Sequence, residues 1–382
     1  MMEMHPLHNP MRENAYDVPG LVQSQCAQIE KDSRMVLRTP EIYQLQRIMV
    51  TGCGDSYAAG LSMKPAMETL TGLPVEVLPA MHLSRYSSPD VFGRPDSTLV
   101  IAVSSSGGVT RVAEAVERAS RCGCLTLAVT ARPESALAKA ARKRVPLNIP
   151  PFAAGGGNGV RSYRISMLAL LLIAIRIGEV KGRHGMTDSE AFRGAVCDYA
   201  GAFAQALPEL DRQMFLLAQA NTDKELFDFL GSGGNLGSAW FSHAKIIEAT
   251  GDYASYSDME SWMHLNCFFR ELPKKLTWAY ALAGGPDRSR AEETIGAIGR
   301  MRGTLCVVTD SKACPLPEKA ERILIPGCAC DWLSPLLNDL PLSLLAGYLC
   351  ELKHEAYGRG GREDWQPVAG TDLLTKSKFV LI

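Results

Sequence analysis

Two turns rich in serine and glycine each follow a short apolar run and open a helical pattern: Gly52-Cys53-Gly54-Asp55-Ser56 and Ser104-Ser105-Ser106-Gly107-Gly108-Val109-Thr110. A strand that ends in small residues at the start of a helix presents free backbone N–H groups and hydroxyls at one point. That suits an anion, most often a phosphate. Helix capping alone needs one such hydroxyl, and three consecutive serines go beyond it. Farther along, Lys245 and Glu248 share one face of a helical pattern at i, i+3 spacing. Alone, such a pair reads as a solvent-exposed ion pair. Its neighbours Ala244, Ile246, Ile247 and Ala249 are small or apolar, however, so the helix is expected to be largely buried. His264 follows Met259-Glu260-Ser261-Trp262-Met263, and Lys376 stands in the tail Asp372-Leu373-Leu374-Thr375-Lys376-Ser377. A carboxylate can carry a proton between adjacent carbons. An imidazole can exchange protons at neutral pH, and a lysine amine can form an imine with a carbonyl. Without further context, a lone histidine is more often structural and a basic residue in a tail is unremarkable.

The elements that must position these groups follow a repeated plan. Short apolar runs at Ile48–Val50, Val75–Leu78, Leu99–Val103, Leu125–Val129 and Val145–Ile149 read as strands. Helical patterns at Ser56–Leu70, Val109–Cys122 and Ser162–Ile177 alternate with them. Gly178 to Gly185 is turn-like and reads as an inter-domain connection, and Thr187–Ala220 is helical again. The plan then restarts. Leu226–Leu230 ends in Gly231-Ser232-Gly233-Gly234-Asn235 and is followed by a helix at Ser238–Thr250. Strands at Leu276–Ala281, Leu305–Val308 and Ile323–Ile325 and helices at Ala291–Met301 and Pro335–Glu355 complete it. Strands alternating with helices predict parallel sheets covered on both faces, hence two doubly wound α/β domains. In such sheets ligands bind at the carboxyl ends of the strands, where strand order reverses.

Composition removes several function classes. The 382 residues carry a formal charge of −1, so nothing in the balance points to nucleic acid or an anionic membrane. The densest basic run, Arg142-Lys143-Arg144, is short and reads as a solvated loop. Met1 to Pro10 lacks a basic start before an apolar stretch, so no signal peptide is expected. Ile165 to Ile177 is shorter than the ~20 residues of a membrane span and reads as a core helix. A cytoplasmic protein is the expectation. Its eleven cysteines then read as free thiols rather than disulfides, and no spacing indicates a metal site. A nucleotide turn would show a third glycine where Tyr57 stands, or a Walker lysine, and neither is present.

The two serine turns together resemble the sugar isomerase (SIS) domain. From about Ile48 onward the chain resembles two tandem SIS domains, laid out as in the isomerase half of glutamine–fructose-6-phosphate aminotransferase and in fructosamine-6-phosphate deglycases. The resemblance implies two three-layer αβα domains with flavodoxin-like parallel sheets. An N-terminal extension over 1–40 precedes a phosphosugar-binding domain over 41–185. A domain with the catalytic residues over 186–370 follows, then a tail over 371–382 that closes over the site. It also implies that Ser56, Ser104 and Ser106, with backbone N–H groups near Ser105 and Gly107, hold a sugar phosphate. The family's threonine position is taken by Val109, with Thr110 one residue later. Gly159-Val160-Arg161-Ser162 resembles a segment that contacts the sugar, which brings in Val160 and Ser162. The glutamate the family often has before it is absent from Gly155-Gly156-Gly157-Asn158.

On the same resemblance Glu248 is the enolising base, and Lys245 tunes or assists it. His264 opens the sugar ring, reaching in from the other subunit of a homodimer with shared sites, and Glu260 orients it. Leu265-Asn266 replaces the family's Gly-Pro, so that loop must differ. Lys376 becomes the imine-forming lysine. No cofactor is implied, and the ligand is a phosphorylated sugar or amino sugar. The aminotransferase's glutamine-hydrolysing domain, with its N-terminal cysteine, has no counterpart before Cys26, so glutamine-dependent synthesis by this chain alone is not expected. The expected activity is isomerisation, deamination or deglycation at C1/C2 of an amino sugar phosphate. A phosphosugar sensor without catalysis is the alternative, and a nucleotide-binding α/β protein is a weaker one.

Overall fold

Five parallel strands are built from the first set of apolar runs: β1 (Arg47–Gly52), β2 (Val75–Pro79), β3 (Thr98–Val103), β4 (Leu125–Thr130) and β5 (Lys143–Pro146). The computed structural model describes residues 9–152, 159–269, 274–301, 303–356 and 372–382. The segment Gly155–Asn158 and the first eight residues therefore lie outside the described residues. The strand order is β2-β1-β3-β4-β5. All six residues of β3 and all six of β4 are buried, as expected for central parallel strands covered on both faces. A second sheet contains β6 (Leu226–Leu230), β7 (Tyr253–Ser257), β8 (Lys275–Tyr280), β9 (Thr304–Thr309) and β10 (Glu321–Leu324). Its order, β10-β9-β8-β6-β7, is the first order again when read from β7. The internal repeat in the sequence is thus a repeat of topology. Each sheet is flanked by helices, so both have the doubly wound, flavodoxin-like architecture anticipated.

The chain forms two compact units. Unit I comprises Leu21–Pro150, Ser162–Asp198 and Pro367–Ile382, and contains the first sheet. Unit II comprises Met1–Gly20, Pro151–Arg161 and Tyr199–Gln366, and contains the second. The helix Val160–Val180 carries the most apolar segment, and its residues from Ile165 to Ile177 are almost all buried. No helix among the described residues is long and apolar enough to cross a membrane.

Several elements depart from the sequence reading. Tyr253–Ser257 forms β7, which the periodicity missed; it is an edge strand with three partly or fully exposed positions after Ala254, so it lacks a continuous apolar run. β5 starts at Lys143, because pairing of Leu127 with Lys143 sets its register. Lys143 and Arg144 are thus part of an edge strand and not of a loop; charged residues there discourage pairing with other chains. The first helix extends from Pro10 to Val36 and includes Pro19. Its buried Met11, Ala15, Val18, Val22 and Ile29 recur at helical spacing. Asn338 and Asp339 divide the expected helix at Pro335–Glu355 into a short 3-10 turn and a helix at Leu340–Leu352.

Candidate functional site

β1 and β3 are sequence-distant but adjacent, with Thr51 opposite Ala102. Strand order reverses between them, so both serine turns emerge side by side at the carboxyl ends where ligands bind such sheets. The helices Asp55–Thr71 and Thr110–Arg121 start at these turns, which adds the positive ends of two helix dipoles. Gly52 lets the first turn close tightly: a Cβ there would lie 2.8 Å from Ser56 Cβ. Ser56 is half-buried and its N–H donates to the Cys53 carbonyl. In the second turn, buried Ser104 accepts from the Gly107 N–H at 3.2 Å, and exposed Ser106 accepts from the Gly108 N–H at 3.4 Å. Half-buried Ser105 uses its carbonyl to accept from the Ala131 N–H. The Ser105 and Ser106 N–H groups meet no acceptor among the described residues. These are donors an anion can take up.

Gly107 is fixed by two independent constraints. Its φ is +61°, and an added Cβ would lie 2.1 Å from Ser135 Oγ. Gly107→Ala is expected to cost at least about 1–2 kcal/mol from the left-handed backbone alone. The collision with Ser135, which caps the helix Ala136–Ala140, adds to that. Calorimetric melting together with titration of a sugar phosphate checks this: both stability and affinity should drop.

Thr110 has a different partner from the one the sequence suggested. Its hydroxyl donates to the Thr375 carbonyl at 2.9 Å. The tail lies along the helix Thr110–Arg121 beyond that point. Arg111 donates to Ser377 Oγ at 3.4 Å and to the Lys378 carbonyl, Arg85 also reaches that carbonyl, and the Val380 N–H donates to Glu114 at 2.7 Å. Glu114 is fully buried and also pairs with Arg85 and Arg111. Burial pushes its carboxyl up, but hydrogen bonds from Arg85 and Val380 and the Arg111 charge outweigh that and hold it below the ordinary value. Lys376 is carried at the surface of this docked segment. While the tail is docked, the Thr110 proton is committed to it. Thr110→Val should therefore free the tail, measured as faster tryptic cleavage at Lys376 and Lys378, while sugar-phosphate affinity falls by no more than a few-fold. A loss of roughly 1 kcal/mol is the scale of one such bond.

In unit II the glycine turn after β6 repeats the arrangement. A Cβ on Gly231 would lie 2.3 Å from the Asn235 carbonyl oxygen, and Gly233 has φ +56°. The helix Asn235–Thr250 starts there. Ser238 donates to Asn338 at 2.8 Å, and Ser242 shares a 2.6 Å hydrogen bond with Tyr280. Lys245 is completely buried, with Nζ 2.6 Å from Glu248 Oε2 and 4.9 Å from the centre of the Phe241 ring. The Glu248 side chain is 38% exposed. The pair is thus no solvated surface bridge: the cation is inside and the carboxylate is partly exposed.

His264 ends the short helix Met259–His264, which Asp258 caps through the Glu260 and Ser261 N–H groups. Its side chain is 75% exposed. Nε2 lies 2.9 Å from Glu260 Oε1, and Glu260 also pairs with Arg290 at 2.6 Å. Arg290 and the His264 hydrogen bond hold the Glu260 carboxyl below its ordinary range. The hydrogen bond of His264 thus runs to Glu260, not to Lys245 or Glu248. Val160 and Ser162 stand in the first turn of the helix Val160–Val180, the first buried and the second half-buried. Ser56, the serines of the second turn, Thr110, Ser162 and Lys376 belong to unit I; Val160, Lys245, Glu248 and His264 belong to unit II.

One positioning residue escaped the sequence reading. Asp228, inside β6, is buried and has four partners: Lys275 at 3.0 Å, Trp262 Nε1 at 2.6 Å, Ser255 at 2.9 Å and Asn266 Nδ2 at 3.2 Å. Two of these flank His264. The Leu265-Asn266 departure from the family loop therefore has a local partner of its own.

Residues 41–176 match the SIS domain family. Glutamine–fructose-6-phosphate aminotransferase [isomerizing] from Halobacterium salinarum is 28% identical over 221 residues, covering 58% of this chain and 35% of that protein. The enzyme of the same name from Gloeobacter violaceus is 25% identical over 366 residues, covering 91% of this chain and 57% of its own. The chain thus spans about a third to just over half the length of the curated relatives it matches. The C-terminal domain of glucosamine-fructose-6-phosphate aminotransferase from Francisella tularensis superposes with a TM-score of 0.80 at 16% identity, covering 92% of this chain and 97% of that one. The chain carries an SIS domain at residues 41–176 and is related to the isomerase domain of glutamine–fructose-6-phosphate aminotransferase.

Proposed function

We propose that the protein is a phosphosugar isomerase-type enzyme that acts at C1/C2 of an amino sugar phosphate, of the glucosamine-6-phosphate or fructosamine-6-phosphate kind. The observation that carries this reading is the pair of serine turns side by side at the β1/β3 switch point, with the Ser105 and Ser106 N–H groups unpaired among the described residues. Ser56, Ser104 and Ser106 join them in holding the phosphate, and Val160 and Ser162 contact the sugar. His264, oriented by Glu260, transfers a proton to open the ring. Glu248 then takes the C2 proton of the open-chain aldehyde. The bonding pair forms a C1=C2 double bond, and the carbonyl oxygen is protonated. Return of the proton to C1 leaves an imine at C2, and addition of water there releases ammonia. A fructosamine phosphate, with its nitrogen on C1 and its carbonyl at C2, runs the other way: the proton leaves C1 and returns to C2, and water adds to the imine at C1 to release the amine. Buried Lys245 stabilises the ionised carboxylate. Lys376, exposed on the tail, can form an imine with a sugar carbonyl.

Exposed His264, beside exposed Leu265, Phe268 and Phe269, fits a homodimer in which this residue serves the site of a second copy. Calorimetric titration of the full chain tests the phosphate assignment. Glucosamine-6-phosphate or fructose-6-phosphate should bind at least about 100-fold more tightly than the unphosphorylated sugar, which loses several charge-assisted hydrogen bonds at once. Equal affinities would remove the phosphate from the serine turns. The second reading is a sensor without catalysis. Val109 at the family's threonine position, with the Thr110 hydroxyl given to the Thr375 carbonyl, favours it. A sensor binds the same ligands and never exchanges their C2 proton with solvent.

A further inference from the structure

The basic run Arg142-Lys143-Arg144 has no part in the reaction above, and it lines an open cleft of about 470 Å³ together with Arg38, Met35 and Val36. β5 begins at Lys143 and runs parallel to its neighbours. The cleft is therefore at the amino ends of the strands, whereas the serine turns occupy the carboxyl ends. Four basic residues line it, and their partners are unequal. Lys143 is committed: its Nζ donates to the Val36 carbonyl at 2.8 Å and pairs with Glu41 at 2.9 Å. It thereby neutralises the negative end of the helix Pro10–Val36. Arg142 pairs with Asp96 at 3.1 Å, but both side chains are about half exposed, and water screens such a pair strongly. Arg144 gives one N–H to the Pro133 carbonyl at 3.2 Å and has no carboxylate within ion-pair distance among the described residues. Arg38 also lines the cleft and is exposed. Two carboxylates thus stand against four cations, and three of the cations are guanidinium groups whose planar forks match phosphate oxygens. The volume is of the size that holds a small ligand. The 76% exposed Met35 side chain offers that ligand an apolar contact.

We propose that this cleft is a second anion site, separate from the serine turns, that binds a small molecule carrying two or more phosphate groups. The full chain is titrated calorimetrically at low ionic strength with inorganic tripolyphosphate and, separately, with fructose 1,6-bisphosphate. Saturable binding of tripolyphosphate alone assigns the site to inorganic polyphosphate; binding of both assigns it to phosphorylated metabolites as well. Arg38→Ala/Arg144→Ala should weaken that binding at least about tenfold. Met35→Glu, which places a carboxylate in the cleft, should act in the same direction. Ser106→Ala, at the other end of the sheet, should leave it within about twofold. Both arginines are surface residues, and a melting curve confirms that the variants fold. Absence of saturable binding by either probe overturns the proposal, as does a titration that Ser106→Ala abolishes and the arginine variant leaves intact.

Discussion

Replacement of Glu248 by Gln should lower turnover by roughly 10²–10⁴-fold, the contribution usual for a positioned general base, with sugar-phosphate affinity within a few-fold of the parent. The substitution keeps the side chain's size and leaves Lys245 an oxygen acceptor, but an amide cannot take the C2 proton. Glu248 is partly exposed, so the variant should fold; it is the ionised carboxylate, 2.6 Å from a fully buried ammonium, that is lost. Two measurements are needed together: steady-state turnover and an equilibrium titration of the phosphosugar. Loss of both would assign Glu248 to binding or folding. Retention of both would remove it from the chemistry. The same variant supports a test of the shared-site assignment. Mixing it with an inactive His264→Ala chain under conditions of subunit exchange should restore up to about a quarter of parental activity, the share of intact sites in randomly mixed twofold dimers. A mixture as inactive as its components would place both residues in the site of one chain.

Asp228→Ala should carry the largest stability loss. It removes a buried carboxylate from Lys275, Trp262, Ser255 and Asn266 at once. Breaking one side of a buried ion pair costs about 3–5 kcal/mol, which for a unit of this size corresponds to a melting shift on the order of 10 °C. Asp228→Asn retains the size and one acceptor oxygen and should recover part of the loss. Trp262 and Asn266 flank His264, so the two variants should also lower kcat more than they change KM. If they melt earlier with unchanged kcat, Asp228 has a structural role only.

The contrast between Asp228 and Glu248 shows what the sequence could reveal. Glu248 stands out in the sequence as a candidate because it follows a glycine turn at a spacing the SIS resemblance recognises, and its assignment as the base is a proposal. Asp228 sits inside Leu226–Leu230, a run whose apolar neighbours announce only a strand; its four partners come from β7, β8 and the His264 loop and become visible only on folding. The central strands β3 and β4 were legible because burial on both faces demands unbroken apolar residues. The edge strands β5 and β7 were displaced or missed because one side faces water and pairing sets their ends. Thr110 is the clearest case at the site. Its place in the second serine turn suggested a phosphate contact, but its hydroxyl is held by Thr375, a residue 265 positions away, and no local pattern encodes such a partner.

The central claim is that this chain moves a proton at C2 of a phosphosugar by means of Glu248. Incubation of the full chain with glucosamine-6-phosphate in deuterated water, followed by proton NMR of the C1 and C2 positions, tests it most directly. Solvent deuterium should enter at these positions with the parent chain and fail to do so with Glu248→Gln, although both chains bind the sugar. Tight binding of the phosphosugar by the parent without any exchange would contradict the account and leave a sensor in its place.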